Sequence, residues 1–308
     1  LLKALLDQEY SDFELIVYDD HSSDDTPTIL EEFSGKDPRM RWVKGKTLPG
    51  GWTGKNHACH QLAGQARGKI LLFLDADVSL APDLLKKAVT YFSRKQLALL
   101  SIFPHQLMYT TGEWLTVPLM NWILLSLLPM VLVRKSRKPS FAAANGQFMM
   151  FEAGIYRKNQ WHQQVKEDLV EDIEINRIMK QNGFSTATLL GNRDVMCRMY
   201  SSFHEGIHGF AKNVTEFFGG NIALTLMFVL LVTVGVLFVG LSMGWTGVLV
   251  YFVLVLSLRY FISFVSRQSV AKNFLYHIPQ MLAFIIIVIK GIQVRRKGRY
   301  LWKGRTTG

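Results

Sequence analysis

Residues 69–77 read Lys-Ile-Leu-Leu-Phe-Leu-Asp-Ala-Asp, an apolar run that ends in two aspartates one residue apart. Residues 13–20 read Phe-Glu-Leu-Ile-Val-Tyr-Asp-Asp and end in a second acidic pair. Short apolar runs of this kind predict buried strands of a parallel sheet. The sequence therefore places acidic pairs directly after two predicted strands.

Predicted strands and helices alternate through the first hundred residues. The predicted elements are strands at 13–18, 40–43, 69–74 and 97–103, and helices after Asp25, at 56–66 and after Pro82. This order is typical of an α/β domain with a mostly parallel sheet covered by helices on both faces. Ligands of such sheets bind beyond the carboxyl ends of the strands, so we expect both acidic pairs at the ligand-binding edge. A strand at 145–151 and a helix at 169–182, closed by Gly183, follow.

Asp75 and Asp77 are candidate ligands of a divalent cation. A nucleoside diphosphate is a poor leaving group unless its developing charge is neutralised, and Mg²⁺ or Mn²⁺ bridging carboxylate and phosphate oxygens does this. Two aspartates one residue apart can act together where a strand turns at its edge. The alternative is a solvated loop that carries two acids by chance, because Asp-x-Asp alone is a common pattern.

Asp19 and Asp20 are the second acidic pair at a strand end. One of them could accept a hydrogen bond from the base or ribose of a nucleotide. The alternative is a turn, because the residues that follow, His21-Ser22-Ser23-Asp24-Asp25, are rich in turn formers.

Lys55 closes a glycine-rich loop, Gly50-Gly51-Trp52-Thr53-Gly54-Lys55, that looks at first like a P-loop. The P-loop motif needs glycine where Pro49 stands and serine or threonine where Asn56 stands, so a P-loop nucleotidase is rejected. Lys55 still opens a predicted helix, where backbone N–H groups and its ammonium group could attract a pyrophosphate.

Glu171 and Asp172 lie at the start of the predicted 169–182 helix. A carboxylate there could act as the general base that accepts a proton from an acceptor hydroxyl. Glu167-Asp168 is a competing pair one turn earlier. The alternative for these acids is favourable placement near a helix N-terminus.

Arg198, in Arg198-Met199-Tyr200, is a candidate phosphate ligand. His204 and His208 follow with the i, i+4 spacing of a metal-binding pair, but no third ligand is evident in the sequence. Surface histidines on a helix are the more ordinary interpretation.

The second half of the chain predicts a membrane protein. The chain is 49% hydrophobic and carries a formal net charge of +11. Apolar stretches at 222–243 and 245–265 are long enough to cross a bilayer, and a third at 274–289 is shorter. A basic tail follows, with Arg295, Arg296, Lys297, Arg299, Lys303 and Arg305. Nucleic-acid binding is the rival interpretation of that tail, but it leaves the apolar neighbours unexplained.

The positive-inside rule constrains the number of crossings. If the first half is cytoplasmic, three full crossings would put the basic tail outside. We therefore predict two crossings and a re-entrant or interfacial third segment. The apolar run at 114–133, which contains Pro118 and Pro129, is predicted as a helical segment at the membrane interface. Cys59 and Cys197 make no disulfide framework and indicate a reducing compartment. The helical pattern already under way at Leu1 suggests a fragment without its N-terminus.

Taken in order, these motifs resemble family-2 glycosyltransferases of the GT-A fold. The 13–26 block is similar to the family's second-strand block, the 68–77 block to its metal-site block, and Val170-Glu171-Asp172 to its Glu-Asp base motif. The 51–59 loop and Arg198-Met199-Tyr200 look like a membrane-associated subgroup that glycosylates carotenoid (diaponeurosporenoate) or hopanoid lipids. The Gln-x-x-Arg-Trp motif of processive synthases is not present as such.

The resemblance implies an inverting, metal-dependent transfer of one sugar from a nucleotide-sugar donor, UDP-sugar first and GDP-sugar second, to a lipid acceptor. It implies that Asp19 or Asp20 contacts the base, Asp75 the nucleotide end of the donor and Asp77 the Mg²⁺ or Mn²⁺, and that Asp172 is the base. The expected organisation is a GT-A domain over 1–215, lacking its first strand, and a membrane region over 216–308. The expected location is the cell membrane, with several crossings and a cytoplasmic catalytic domain. Alternatives are a processive polysaccharide synthase and a non-catalytic nucleotide-sugar-binding membrane protein.

Overall fold

The computed structural model of the protein describes residues 1–297, 300–302 and 305–307. The elements of the first part of the chain are α1 (Leu2–Leu6), β1 (Leu15–Asp19), α2 (Thr26–Lys36), β2 (Met40–Lys44), α3 (Gly54–Gln65), β3 (Ile70–Leu74), β4 (Val78–Leu80), α4 (Leu84–Arg94), β5 (Leu99–Phe103) and β6 (His105–Gln106). The later elements are α5 (Thr111–Thr116), α6 (Pro118–Leu127), α7 (Met130–Lys135), β7 (Phe148–Glu152), α8 (Ala153–Asn159), α9 (Trp161–Gln164), α10 (Glu171–Gln181), β8 (Thr186–Leu190), β9 (Val195–Cys197), α11 (Phe203–Asn213), α12 (Ile222–Val265), α13 (Val270–Leu275), α14 (His277–Lys297), β10 (Tyr300–Trp302) and β11 (Arg305–Thr307).

The chain forms two compact units. We call Leu1–His105 with Met130–Cys197 the sheet unit, and Gln106–Pro129 with the chain from Arg198 onward the helical unit. The predicted boundary between residues 215 and 216 stays a prediction. Arg299 and Lys303 of the predicted basic tail lie outside the described residues.

The sheet unit contains both parallel and antiparallel strand pairs, and β4 and β9 form one of the antiparallel pairs. β1 pairs with β2 in parallel, and β5 pairs with β8 in parallel. β7 lies between β3 and β5 and is antiparallel to both, so the sheet is more mixed than the sequence predicted. An apolar run such as Phe148-Met149-Met150-Phe151 indicates burial but not strand direction, which explains the difference.

The central strands of the sheet are buried, and the pairing of β3 with β7 decides which residues meet at the sheet edge that carries the site. Leu99, Phe148 and Phe151 are fully buried, and Tyr156 and Trp161 cover the same core. Burying each such side chain stabilises the fold by about 1.5–3 kcal/mol. Because β7 is antiparallel to β3, its first residue, Phe148, lies opposite the last residue of β3, Leu74. The residues just before β7 therefore face the residues just after β3.

α12 is a helical hairpin. Its backbone leaves the helical region at Gly244, with φ 63° and ψ −156°, a conformation that residues with a Cβ rarely adopt. The Tyr251 hydroxyl of the second half donates to the Leu231 carbonyl oxygen of the first half at 3.1 Å. Gly244 thus separates the two stretches predicted at 222–243 and 245–265. Most apolar side chains of the hairpin are exposed, and the helix is long and apolar enough to cross a membrane.

α14 is also long and apolar enough to cross a membrane by length and composition. It begins three residues after the start of the predicted third segment, 274–289, and ends eight residues beyond it. Whether it crosses stays a prediction. The predicted interfacial segment 114–133 is helical, as α5, α6 and the start of α7. Leu119, Trp122 and Ile123 of α6 are buried by protein. Its location relative to a bilayer stays a prediction as well.

Candidate active site

The first turn of α3 is held against the loop that precedes α10. The Thr53 hydroxyl caps α3 by accepting from the Asn56 backbone N–H at 3.3 Å. The fully buried Asn56 amide donates to the carbonyl oxygens of Val165 at 2.7 Å and Asp168 at 3.1 Å. These bonds fix Lys55, the residue before Asn56, beside the start of α10.

Lys55 lies at the centre of the site. Its Nζ is 3.0 Å from Oδ1 of Asp75, at the end of β3, and 3.0 Å from Oε1 of Glu171, at the start of α10. It also donates to the Gly146 carbonyl oxygen at 3.4 Å. Glu171 is buried, whereas the Lys55 side chain stays 39% exposed. The ammonium group can therefore be reached from solvent while it contacts two carboxylates.

Gly146 lets these groups approach each other. Its backbone N–H donates to Oδ2 of Asp172 at 2.8 Å. A Cβ at this position would lie 2.6 Å from Lys55 Nζ and 2.9 Å from Glu171 Oε1, closer than real Cβ atoms approach. A side chain at position 146 would therefore force the ends of the Lys55 and Glu171 side chains to move.

Asp77 joins the site through Gln147. The Gln147 amide nitrogen lies 3.3 and 3.2 Å from the two carboxylate oxygens of Asp77, and it lies 2.8 Å from the Cys197 sulfur. The Asp75 backbone N–H donates to the Gln147 carbonyl oxygen at 3.3 Å. Gln147 therefore orients the second aspartate of the pair.

The sequence interpretation missed Gly146 and Gln147, because it assigned them to the strand at 145–151. The strand begins at Phe148 instead. A signal was present: Asn145-Gly146-Gln147 interrupts two apolar stretches immediately before the strand. Polar residues and glycine at a strand end are where a site is expected, but the antiparallel direction of β7 could not be read from the sequence.

The carboxyl groups of the site have opposed pKa shifts. Burial raises the pKa of Asp172 to about 7, and the neighbouring Glu171 carboxylate adds to this shift. Burial would also raise the pKa of Glu171, but the Lys55 ammonium outweighs it and holds that pKa below its usual value. Burial raises the pKa of Asp75 although Lys55 opposes the shift. The pKa of Lys55 lies well above its usual value, because Glu171 and Asp75 overcome the desolvation that would lower it. Such opposed shifts are a feature of acid–base sites.

The donor set fits a hard divalent cation that is shared with a diphosphate. Asp75 and Asp77 offer carboxylate oxygens, the ligand type that Mg²⁺ and Mn²⁺ prefer. Within the described part of the chain, no group of three or more His, Cys, Asp or Glu side chains is arranged to hold a metal ion. An all-protein cage is therefore not built here, whereas Mg²⁺ typically takes one or two carboxylates together with water and substrate phosphates.

Asp19 lies at the carboxyl end of β1 and is buried. Its Oδ1 accepts from the Ser22 backbone N–H at 3.1 Å, which is the turn that the sequence left as an alternative. A cavity of about 220 Å³ opens beside it, lined by Asp19, His21, Ser22, Pro27, Trp42 and Lys44. Burial lowers the pKa of His57 in α3, and the charge of the nearby Asp20 partly opposes this shift. A nucleotide-binding role of Asp19 and Asp20 stays a prediction.

Arg198 belongs to the helical unit. Its Nε donates to Oε1 of the buried Glu113 at 2.7 Å, and its guanidinium lies 5.1 Å from the centre of the Tyr109 ring. Its predicted role as a phosphate ligand stays a prediction. The competing acid Glu167 is largely exposed and lies 3.9 Å from Lys166, away from the contacts that join Lys55, Asp75, Glu171 and Asp172.

The architecture is that of GT-A-like glycosyltransferases. A mannosyltransferase from Pyrobaculum calidifontis, solved in complex with GDP-Man and Mn²⁺, has a similar structure, with a TM-score of 0.57 at 14% identity over 94% of this chain and 81% of that chain. The chain belongs to the Glycosyl transferase family 2, because the model of that family matches residues 1–159.

Two relatives of the protein are similar to parts of its sequence. A 4,4'-diaponeurosporenoate glycosyltransferase from Staphylococcus haemolyticus is 26% identical over 217 residues, which cover 70% of this chain and 56% of that protein. A beta-monoglucosyldiacylglycerol synthase from Synechocystis sp. is 34% identical over 80 residues, 26% of this chain and 16% of that protein. The chain thus spans little more than half the length of the first relative and less of the second.

Proposed function

We propose that the protein is an inverting glycosyltransferase that moves one sugar from a nucleotide-sugar donor to a hydroxyl or carboxyl group of a membrane lipid. The observation that carries this proposal is the convergence of Lys55, Asp75 and Glu171, with Asp172 beside them, at the carboxyl end of β3. A diphosphate needs cations where it departs, and an acceptor hydroxyl needs a base, and this edge of the sheet supplies both.

In the proposed reaction, Asp172 accepts the proton of the acceptor hydroxyl while the hydroxyl oxygen bonds to the anomeric carbon of the donor sugar. The bond from that carbon to the diphosphate breaks, and its electron pair leaves with the nucleoside diphosphate. Lys55 lies where its ammonium group can neutralise the departing phosphates. Asp75 and Asp77 would hold a divalent cation, which supplies the remaining charge neutralisation when it is bound.

An ionised carboxyl acceptor differs from a hydroxyl because it has no proton to lose. Transfer to a hydroxyl should fall about 10²- to 10⁴-fold in Asp172→Asn, whereas transfer to a carboxylate should be much less affected. The same variant therefore distinguishes the two acceptor classes. The names of the two relatives, one acting on a carotenoid acid and one making a glucolipid, support a lipid acceptor without choosing between these classes.

The helical unit supports a membrane location with two crossings. His277 of α14 accepts from Arg259 at 3.1 Å, and Phe284 of α14 lies 6.1 Å from Phe228, ring centre to ring centre. Arg259 lies six residues before the end of α12 and Phe228 six residues after its start, so both are about 9 Å from the same end of the hairpin. His277 and Phe284 are about 10 Å apart along the axis of α14, yet both contact the hairpin at the same distance from its end.

α14 therefore runs across the base of the hairpin instead of alongside it, which supports an interfacial third segment. Arg295, near its end, lies 2.8 Å from Glu216, just before the hairpin begins. The basic end of α14 then stays on the side from which the chain enters the membrane. We infer that this side is cytoplasmic, in agreement with the positive-inside rule.

The test is to incubate the full-length membrane protein with UDP- and GDP-sugars, Mn²⁺ and extracted lipids, and to identify glycosylated products by mass spectrometry. We expect one sugar per lipid, loss of the product when the metal is chelated, and loss in Asp77→Asn with the fold retained. A ladder of products with many sugars would instead indicate a processive synthase. Donor binding without any product from an intact full-length protein would indicate a non-catalytic binding protein.

A further inference from the structure

Three basic side chains converge on the surface of the helical unit, outside the site described above. On α11, Nε2 of His204 lies 3.1 Å from Nε2 of His208. Nζ of Lys290, from α14, lies 3.3 Å from the same His208 nitrogen. Both histidines are exposed and Lys290 is half-buried. We call this group the His204–His208–Lys290 cluster.

The packing of the two helices holds the cluster together. A Cβ on Gly291, the residue after Lys290, would lie 2.8 Å from the Ala211 carbonyl oxygen of α11, so the helices are in close contact there. Arg295, one turn further along α14, is paired with Glu216. Lys290 has no such carboxylate within salt-bridge distance among the residues that the structure describes.

The position of the cluster relative to lipid follows from α14. Leu282, Ile286 and Ile289 are exposed at i, i+4 and i+7 of this helix and form one apolar stripe. The stripe ends at Ile289, and Lys290 is the next residue. Lys290 lies about 100° around the helix axis from Ile289, at the edge of the apolar stripe. On a helix that lies in the interface, this edge is the level where acyl chains give way to headgroups.

We propose that the His204–His208–Lys290 cluster binds the phosphate monoester headgroup of an anionic membrane lipid. Three nitrogen donors from two helices can each donate to a phosphate oxygen, and the neighbouring stripe covers the acyl chains. The proposal does not depend on the glycosyltransferase reaction, but it rests on the proposed interfacial position of α14. It assigns to the helical unit a ligand site in addition to the candidate active site of the sheet unit.

A transition metal held by the two histidines is the rival occupant. Their separation of 3.1 Å would suit two ligands of one ion. However, the Lys290 ammonium lies on the same nitrogen that would bind the metal, and it repels a cation and attracts an anion.

The test uses the full chain in a non-ionic detergent and isothermal titration calorimetry with short-chain dihexanoyl phosphatidic acid. We expect saturable binding that weakens about ten-fold or more in Lys290→Gln and in His208→Gln, and that persists in Lys290→Arg. Arg296→Gln is the matched control, because it removes one exposed charge from the same helix outside the cluster. Dihexanoyl phosphatidylcholine and inorganic phosphate should bind much more weakly.

Several results would overturn the proposal. If Arg296→Gln weakens phosphatidic acid binding as much as Lys290→Gln does, the binding reflects general surface charge and not a specific site. If inorganic phosphate binds as tightly as dihexanoyl phosphatidic acid, the cluster binds phosphate and does not recognise a lipid. If Zn²⁺ binding tightens in Lys290→Gln while phosphatidic acid binding stays unchanged, the two histidines form a metal site and not a lipid site. Circular dichroism of each variant shows whether a loss of binding reflects a loss of fold.

Discussion

Lys55 and Asp75 form the ion pair that joins the first turn of α3 to the carboxyl end of β3, with 3.0 Å between Nζ and Oδ1. Asp75 is also the residue proposed to face the donor and the cation. A cation bound by Asp75 would repel the ammonium group of Lys55, which would then be free to contact a phosphate oxygen. Under the proposed function, Lys55 would offset part of the negative charge of the site while no donor is bound and would supply a positive charge to the diphosphate once the donor binds.

Lys55→Met tests the structural part of this pair. Removal of the ammonium group leaves the buried Glu171 carboxylate without its partner, so the free energy of unfolding should fall by about 1–3 kcal/mol. Donor binding should weaken as well, because the diphosphate loses a cation. Thermal unfolding in detergent and donor titration measure the two effects.

The matched control for Lys55→Met is Lys87→Met. Lys87 also contacts two carboxylates, Asp83 and Asp194, but its side chain is 53% exposed. Exposed ion pairs contribute about 0–1 kcal/mol, so its loss should hardly change stability and should leave donor binding unchanged. Equal effects of the two substitutions would contradict the central position of Lys55.

Gly146→Ala should impair the site without unfolding the protein. The added methyl group would lie within 3 Å of both Lys55 Nζ and Glu171 Oε1, so these side chains must move apart. We expect a fall in kcat of about 10²-fold, since small misplacements of catalytic groups have effects of this size. Steady-state transfer assays measure this fall.

Gly64→Ala is the control on the same helix as Lys55. Nothing lies within 4 Å of a Cβ at Gly64, and alanine in a helix interior is about 0.5–1 kcal/mol more favourable than glycine. Its activity should be unchanged and its thermal stability slightly increased. An active Gly146→Ala enzyme would show that the observed spacing of Lys55 and Glu171 is not needed for transfer.

The pH dependence of transfer to a hydroxyl acceptor should reflect Asp172. A general base works only when it is ionised, and the pKa of Asp172 is raised to about 7 by burial and by Glu171. The rate should therefore fall about ten-fold per pH unit below that value and level off above it. Glu171→Gln removes the neighbouring negative charge, so it should move the midpoint to lower pH. A midpoint that stays in place would indicate another base.

The proposed topology predicts which engineered cysteines a membrane-impermeant maleimide can label in intact cells. Leu241→Cys lies near the tip of the hairpin and is 88% exposed, so it should be labelled from outside. Arg296→Cys should be labelled only after permeabilisation, because α14 runs across the base. The natural cysteines, Cys59 and Cys197, are both buried and should give little background. Labelling of Arg296→Cys in intact cells would mean that α14 crosses.

Several elements could be predicted because their signals are local. Ile70–Leu74 and Leu15–Asp19 are strands close to their predicted bounds, and Glu171–Gln181 is a helix followed by Gly183, whose φ of +75° suits a C-terminal cap. Each of these signals lies within a few residues of the element that it specifies. The alternation of the elements also sufficed for the α/β class.

Some residues of the candidate active site could be predicted from the same kind of local signal. Lys55, Asp75, Glu171 and Asp172 could be chosen because each follows a strand or opens a helix. Their roles stay predictions. Gly146 and Gln147 were missed, because their importance comes from the strand that lies opposite them and not from their own neighbours in the sequence.

The sequence by itself determined the acidic pairs after strands, the α/β order and two apolar stretches long enough to cross a membrane, since periodicity and composition act over short distances along the chain. Tertiary structure alone decided that Lys55 lies between Asp75 and Glu171, that β7 is antiparallel, and that Phe284 of α14 packs against Phe228 of the hairpin. These features depend on contacts between residues far apart in sequence, and such contacts are selected by packing of the whole unit and not by local preference.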